Sequence, residues 1–246
     1  MSERLERIYE RYSELRPNIR APKDEADLLG GREVIYHKVF APWLPESKQA
    51  RILDIGCGYG EFLYFLQKQG YGRAEGIDLD RQHVEIGSRL GVRNLRWGDA
   101  QAALTEAPDE YDCISVIDVL EHIPRDQVLT FLDLIRRALK PGGTLIAQVP
   151  NAAAFYTPLF FMDFSHETPF TAPSLKQALE LASFSQVQVR PRGPVAHGAK
   201  SALRVVLWKV ISSGLRLIQT IEGGPRCLLD SIYTAAILAV ARRPSI

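Results

Sequence analysis

Asp54, Gly56, Gly58, Gly60 and Glu61 fall together in the run LDIGCGYGEF. Glycines where a strand gives way to a helix let the backbone turn tightly and let a ligand approach it closely. The first N–H groups of that helix add donors for anionic groups. The spacing is G-x-G-x-G. Glu61 stands where a dinucleotide-binding loop carries its third glycine, which counts against a nicotinamide cofactor. Asp78 ends the next apolar run, GIDLD, where a carboxylate can take both hydroxyls of a ribose. Taken alone it would serve equally well as a helix N-cap. Asp99, in WGDA, follows the third run, within reach of an adenine amino group. Glycine loop and two acids in this order point to a nucleoside-bearing ligand.

The elements that must position these residues are legible as alternation. RILDI, RAEGIDL, VRNLRW, YDCISVI and GTLIAQVP read as short strands. Helical stretches are predicted between them at 60–70, 81–90 and 125–140, so a parallel sheet covered on both faces is expected. Before the loop, helices are predicted over 1–16 and 26–40, the second ending at the prolines of APWLP. After Asn151 an irregular aromatic segment leads to a helix at 173–183 and a strand at 186–191. A basic, apolar segment follows, and IYTAAILAVARR closes the chain as a last strand. The organisation expected is an N-terminal helical cap over 1–45 and one catalytic domain over 46–246.

Composition narrows the class. The 246 residues are 46% hydrophobic and 24% charged, as in ordinary globular proteins. A net charge of +1 gives no argument for nucleic acid. Cys57, Cys113 and Cys227 are odd in number and widely spaced, which suits a reducing compartment and argues against disulfides or a zinc site. The charged start MSERLERIYERYSELR does not read as a signal peptide, and a cytoplasmic location is expected.

The set LDIGCGYGEF … GIDLD … GDA … YDCISVIDVLEHIP … LKPGGTLIAQVP resembles class I S-adenosylmethionine-dependent methyltransferases over about residues 50–150. The resemblance implies a Rossmann-like, seven-stranded α/β sheet with N-terminal helices and a helical insertion before the last strand. It implies S-adenosylmethionine as cofactor. No metal is expected, since His37, His83 and His197 have no metal-ligand spacing between them. Gly56, Cys57 and Gly58 would lie under the methionine part, with Asp54 near its amino group and Ile117 offering backbone. Asp78 with Leu79 would hold the ribose, and Asp99 with Ala100 the adenine. LLGGREVIYHKVFAPWLP and MDFSHETPF also resemble elements of methyltransferases from bacterial polysaccharide and lipopolysaccharide clusters. That closer likeness implies an acceptor hydroxyl on a surface glycan or its lipid-linked precursor, and it places Arg32 at the cofactor carboxylate. A small-molecule acceptor, such as a quinone or secondary metabolite, is the alternative. A non-catalytic partner with this fold is a third reading.

An alcohol is a poor nucleophile until a base takes its proton. Histidine suits that work, since it titrates near neutrality. His166, with Asp163 beside it in the loop after strand five, is the expected catalytic pair. His122, in DVLEHIP, is expected to shape the cofactor pocket. Phe155, Tyr156, Phe160, Phe161 and Phe164 either line the acceptor pocket or pack the loop.

The connection between the last two strands, about 196–228, is long for a hairpin. From Arg190 to Arg226, the cations Arg190, Arg192, Lys200, Arg204, Lys209, Arg216 and Arg226 face a single acid, Glu222. Ser212, Ser213 and Gly214 suggest a break, so two short helices are expected. Basic residues among aliphatics suit an anionic membrane surface on the cytoplasmic side, and a lid or homodimer interface is the competing use.

Overall fold

Apolar runs too short for helices, bounded by Gly, Asp and Asn, form the strands. A computed structural model describes residues 21–154, 159–224 and 231–245. The helix expected over 1–16, the aromatics Phe155 and Tyr156, and Arg226 and Cys227 lie outside them. Seven strands form one sheet in the order β3-β2-β1-β4-β5-β7-β6. They are β1 (Ile52–Ile55), β2 (Ala74–Asp78), β3 (Leu95–Trp97), β4 (Tyr111–Ile117), β5 (Leu139–Pro150), β6 (Ser185–Pro191) and β7 (Ala236–Arg242). β1 to β5 run parallel, and β7 lies antiparallel between β5 and β6. Every residue of β1 is buried, as a central parallel strand covered on both faces requires. Strand order reverses between β1 and β4, so a crevice opens at their carboxyl ends.

The helix expected over 26–40 is not continuous. α1 (Glu25–Leu29) is capped by Asp24, whose carboxylate accepts from Asp27 N–H at 2.8 Å. Gly30 and Gly31, with φ of 46° and 78°, then end it. Helical backbone resumes at Glu33–Ile35 and runs on through Tyr36–Phe40 and Ala41–Trp43. Its aromatic side anchors it: the Tyr36 ring lies 5.1 Å from Phe62 and 5.3 Å from Phe65, both on α2 (Glu61–Lys68). That packing sets Arg32 above the glycine loop.

α3 (Arg81–Arg89), α5 (Val128–Ala138) and α6 (Ala172–Leu181) match the predicted stretches. α4 (Ala100–Thr105) was not predicted, being one and a half turns long with little periodicity. The two helices expected in the long connection are one, α7 (Ala199–Gly223). Its serines stay helical, with Ser213 Oγ returning its hydrogen bond to Lys209 O at 2.9 Å.

α3 crosses close to the glycine loop. A Cβ on Gly87 would fall well inside contact with the Tyr59 carbonyl oxygen, which is backbone and cannot swing away. Gly87→Ala should therefore push α3 off the loop and cost about 1–3 kcal/mol, lowering the melting temperature by several degrees. Gly72→Ala, with open space around it, should leave the melting temperature nearly unchanged. Equal melting of the two variants would contradict this packing.

Candidate active site

The loop after β1 is stitched to the end of β2. Gly56, Gly58 and Gly60 all take positive φ, and a Cβ on Gly56 would overlap Val119 Cγ2. Gly56 and Cys57 N–H donate to the Ile77 carbonyl at 2.8 and 3.2 Å. Gly58 N–H donates to Asp78 Oδ2 at 2.7 Å, while Asp78 Oδ1 accepts from Asp80 N–H at 2.8 Å. Asp78 is thus no helix cap. Asp80 takes that role for α3, accepting from Gln82 N–H at 2.8 Å and His83 N–H at 3.3 Å. Asp78 Oδ1 also faces His83 Nδ1 at 3.9 Å, while Oδ2 keeps a second lone pair for a ligand.

Asp54 lies beneath this loop, almost wholly buried, and its Oδ1 accepts from Ser115 Oγ at 2.6 Å. Burial pushes its carboxyl up to about 7. The Ser115 hydrogen bond works against that, and Glu61 and Asp78 add to it. Cys57 is buried against Gly76, and burial with the same carboxylates raises its thiol well above the ordinary value. It is a packing residue, not a nucleophile. Burial lowers the affinity of His83 for a proton, but Asp78, Asp80 and Glu61 outweigh it, so its imidazolium is favoured.

A cavity of about 380 Å³ opens over the loop. Its wall includes every residue expected at the cofactor: Arg32, Asp54, Gly56, Cys57, Gly58, Asp78, Leu79, Asp99, Ala100 and Ile117. Asp99 also caps α4, with Oδ1 accepting from Gln101 N–H at 2.7 Å. Arg32 is engaged by Glu61, Nη1 to Oε1 at 2.9 Å. Two wall residues had no signal in the sequence. Arg192, which follows β6, has a buried Nε without a hydrogen-bond partner. It was visible only as one cation of a basic segment. Gln148 on β5 donates to both Asp118 oxygens at 3.0 and 2.9 Å, while its own Oε1 is buried and unbonded. It reads as an ordinary strand residue.

The expected catalytic pair sits elsewhere. Among the described residues the wall includes His122 but neither His166 nor Asp163. His166 lies behind His122, ring centroids 4.7 Å apart. Its Nδ1–H donates to the Phe160 carbonyl at 2.7 Å, and its Nε2 faces Asp163 at 3.6 Å and Glu121 at 3.9 Å. Asp163 acts on His122 through Ser165. Ser165 Oγ donates to Asp163 Oδ1 at 2.7 Å and lies 3.0 Å from His122 Nδ1. Ser165 has one proton, so with it on Asp163, Nδ1 of His122 is the protonated nitrogen and Nε2 the basic one. The Glu121 carbonyl clamps the loop in place, accepting from Glu167 and Thr168 N–H at 2.7 and 3.0 Å. Ligand atoms of Glu121, His122 and His166 also lie within 4.8 Å of one another. That grouping could gather a metal ion, although no metal was expected from the sequence spacing.

The family described as "Methyltransferase domain" matches residues 3–189. The chain belongs to it. A "Ubiquinone biosynthesis O-methyltransferase" of Xylella fastidiosa is 31% identical over 107 residues, 42% of this methyltransferase and 42% of its relative. The match therefore spans less than half the length of that curated protein. An S-adenosylmethionine-dependent methyltransferase from Archaeoglobus fulgidus shares the fold at 20% identity, with a TM-score of 0.63 over 87% of this chain and 94% of that one. Phosphoethanolamine N-methyltransferase 2 of Haemonchus contortus, solved with S-adenosyl-L-methionine, does so at 15% identity, with a TM-score of 0.55 over 96% of this chain and 56% of that one. S-adenosylmethionine is the cofactor of this family and fold, and the cavity fits it. The carboxylates of Asp54, Glu61, Asp78 and Asp80 in its wall suit a cationic ligand.

The raised carboxyl of Asp54 has a consequence for stability. The folded state holds its proton up to about pH 7, whereas an unfolded Asp loses it near 3.9. The stability due to the protonated form is complete below that lower value and is lost as pH rises to about 7. Asp54→Asn should therefore melt above the wild type at pH 8 without cofactor, and the gap should close toward pH 4. Thermal melts across that range check it; a gap independent of pH would contradict the assignment.

Proposed function

We propose that this methyltransferase is an O-methyltransferase acting on the hydroxyl of a small organic acceptor of quinone-precursor type. The observation that carries the reading is His122, held on the cavity wall by the Ser165–Asp163 pair with Nε2 as its basic nitrogen. A hydroxyl acceptor needs such a base, whereas an amine acceptor can attack through its own lone pair. The name of the curated relatives supports the acceptor class. The glycan reading, drawn from the lead-in and from MDFSHETPF, has no support from these relatives.

When bound, the cofactor supplies a sulfonium-activated methyl group. The protein must orient, deprotonate and exclude water. Gly56 and Gly58 allow close backbone approach. Asp54 takes the ammonium, Asp78 the ribose hydroxyls, and Asp99 the adenine amino group through its second oxygen. Arg192 takes the carboxylate, because Arg32 is occupied by Glu61. His122 Nε2 receives the acceptor proton, and Asp163, through Ser165, stabilises the imidazolium. His166 positions His122 by packing on its ring.

Turnover with radiolabelled S-adenosylmethionine should appear with a phenolic acceptor and not with a sugar. His122→Ala should lower it roughly 10²–10⁴-fold with cofactor affinity intact, and His166→Ala by less. Near-normal turnover of His122→Ala would remove it from the mechanism. Turnover abolished by a chelator and restored by a divalent cation would replace the base by a metal held by Glu121, His122 and His166.

Asp78→Ala removes charge-assisted hydrogen bonds, each worth about 1.5–3 kcal/mol. Calorimetry should show cofactor binding at least tenfold weaker, and unchanged binding would refute the ribose role.

A further inference from the structure

We propose that the outer face of α7 is a docking surface for an anionic phospholipid bilayer, with the helix lying in the plane of the headgroups. α7 is one unbroken helix from Ala199 to Gly223. Its two long faces differ. Ser201, Val205, Trp208, Ser212, Leu215 and Gln219 form one stripe at steps of three and four residues, and these positions are buried or half-buried. Gln219 Oε1 ties the far end of this stripe down, accepting from Ser231 Oγ and Tyr233 O–H at 2.8 and 2.5 Å. The opposite stripe carries Leu203, Val206, Val210, Leu217 and Ile221, exposed by 60, 56, 67, 62 and 77%. Only Ser213 and Gly214 interrupt it.

Charge decides what covers that stripe. At 100° per residue, Lys200 and Arg204 fall roughly 80–120° to one side of it, and Lys209 and Arg216 as far to the other. In a helix pair, flanking positions must bring opposite charges together. Glu222, the one acid of the helix, shares the flank of Lys200 and Arg204, but four cations against one acid leave α7 with net positive charge, so a second copy would bring two net-positive faces together. An anionic lipid surface takes the same pattern without conflict: the apolar stripe enters the acyl boundary and the cations extend to phosphates on both sides. Among the described residues no helix is long and apolar enough to cross a membrane, so α7 lies on the surface.

The topology puts the start of α7 at the edge of the sheet where the cavity opens. β6 ends at Pro191 opposite Ile237, and β5 ends at Pro150 opposite Ala236, so both strands leave the sheet at the same edge. That edge carries the carboxyl ends of β1, β2 and β4. Arg192 is in the cavity wall, and the Ala196 carbonyl just before α7 accepts from Lys38 Nζ. The loop after β5 departs from the same edge with Phe161 and Phe164 exposed by 73 and 88%, apolar groups that can enter the same boundary.

Flotation of the full chain with vesicles tests the proposal, and it reads binding without turnover, so it stands apart from the proposed activity. Vesicles of phosphatidylcholine with phosphatidylglycerol should carry the protein, vesicles of phosphatidylcholine alone should not, and raised salt should release it. Lys209→Gln and Arg216→Gln should each weaken partitioning roughly fivefold. The double variant Val210→Glu, Leu217→Glu should abolish it, with melting unchanged because both side chains are exposed. Equal binding to neutral vesicles, or none to either, overturns the proposal. So does a dimer in solution that the double glutamate variant converts to monomer.

Discussion

Asp54, Glu61 and Asp78 crowd one glycine loop, and the burial of charge there, with the repulsion between these acids added to it, governs the site. Each of the groups around them registers it. The Asp54 carboxyl is pushed up to about 7 by burial and, in addition, by the other two acids. The Tyr36 phenol and the Cys57 thiol are raised by burial and then by the same carboxylates. The half-exposed Arg32 answers the cluster through Glu61, and His83 through Asp78. A buried negative field of this kind is unfavourable until a cation enters it. A ligand with an ammonium and a sulfonium relieves that repulsion, so the same arrangement that weakens the empty site selects its occupant.

Holding those acids together is the task of the sheet. Asp54 and Asp78 end adjacent parallel strands, paired in register from Ile52–Ala74 to Ile55–Ile77. The loop amides then bridge the two ends, Gly58 N–H to Asp78 and Gly56 N–H to Ile77. The carboxylate proposed to hold the ribose is thereby also the one that fixes the loop beneath it, and loss of Asp78 would loosen that loop.

Much of this is local and therefore legible in the sequence. Strand ends, the glycine spacing and the acids that follow them are separated by few residues, and the central strands β1, β4, β5 and β7 are largely buried, so their apolar runs stand out. What the sequence hid depends on contacts across the chain. Arg192 enters the cavity wall because β6 pairs outside β7 at the sheet edge. His122 and His166 meet because backbone bonds from Glu167 and Thr168 to the Glu121 carbonyl fold one loop onto another, and no periodicity encodes that. His166, the more conspicuous in sequence, is packed behind the ring that faces the cavity. In α7 the misreading had another cause. Ser212, Ser213 and Gly214 are weak helix formers, but Ser212 continues the inward stripe, and tertiary position outweighs intrinsic preference.

The placement of α7 is a consequence of strand direction. β7 is the one strand of the sheet that runs against the others, so the turn from β6 into β7 must lie at the carboxyl edge. Any residues inserted there project beside the cofactor cavity and the loop that bears Asp163, Ser165 and His166. An insertion in the connection before β4 would emerge at the opposite edge, far from the chemistry. The hairpin is thus the position in this topology where added chain can govern how an acceptor reaches the site without altering the parallel strands that form it.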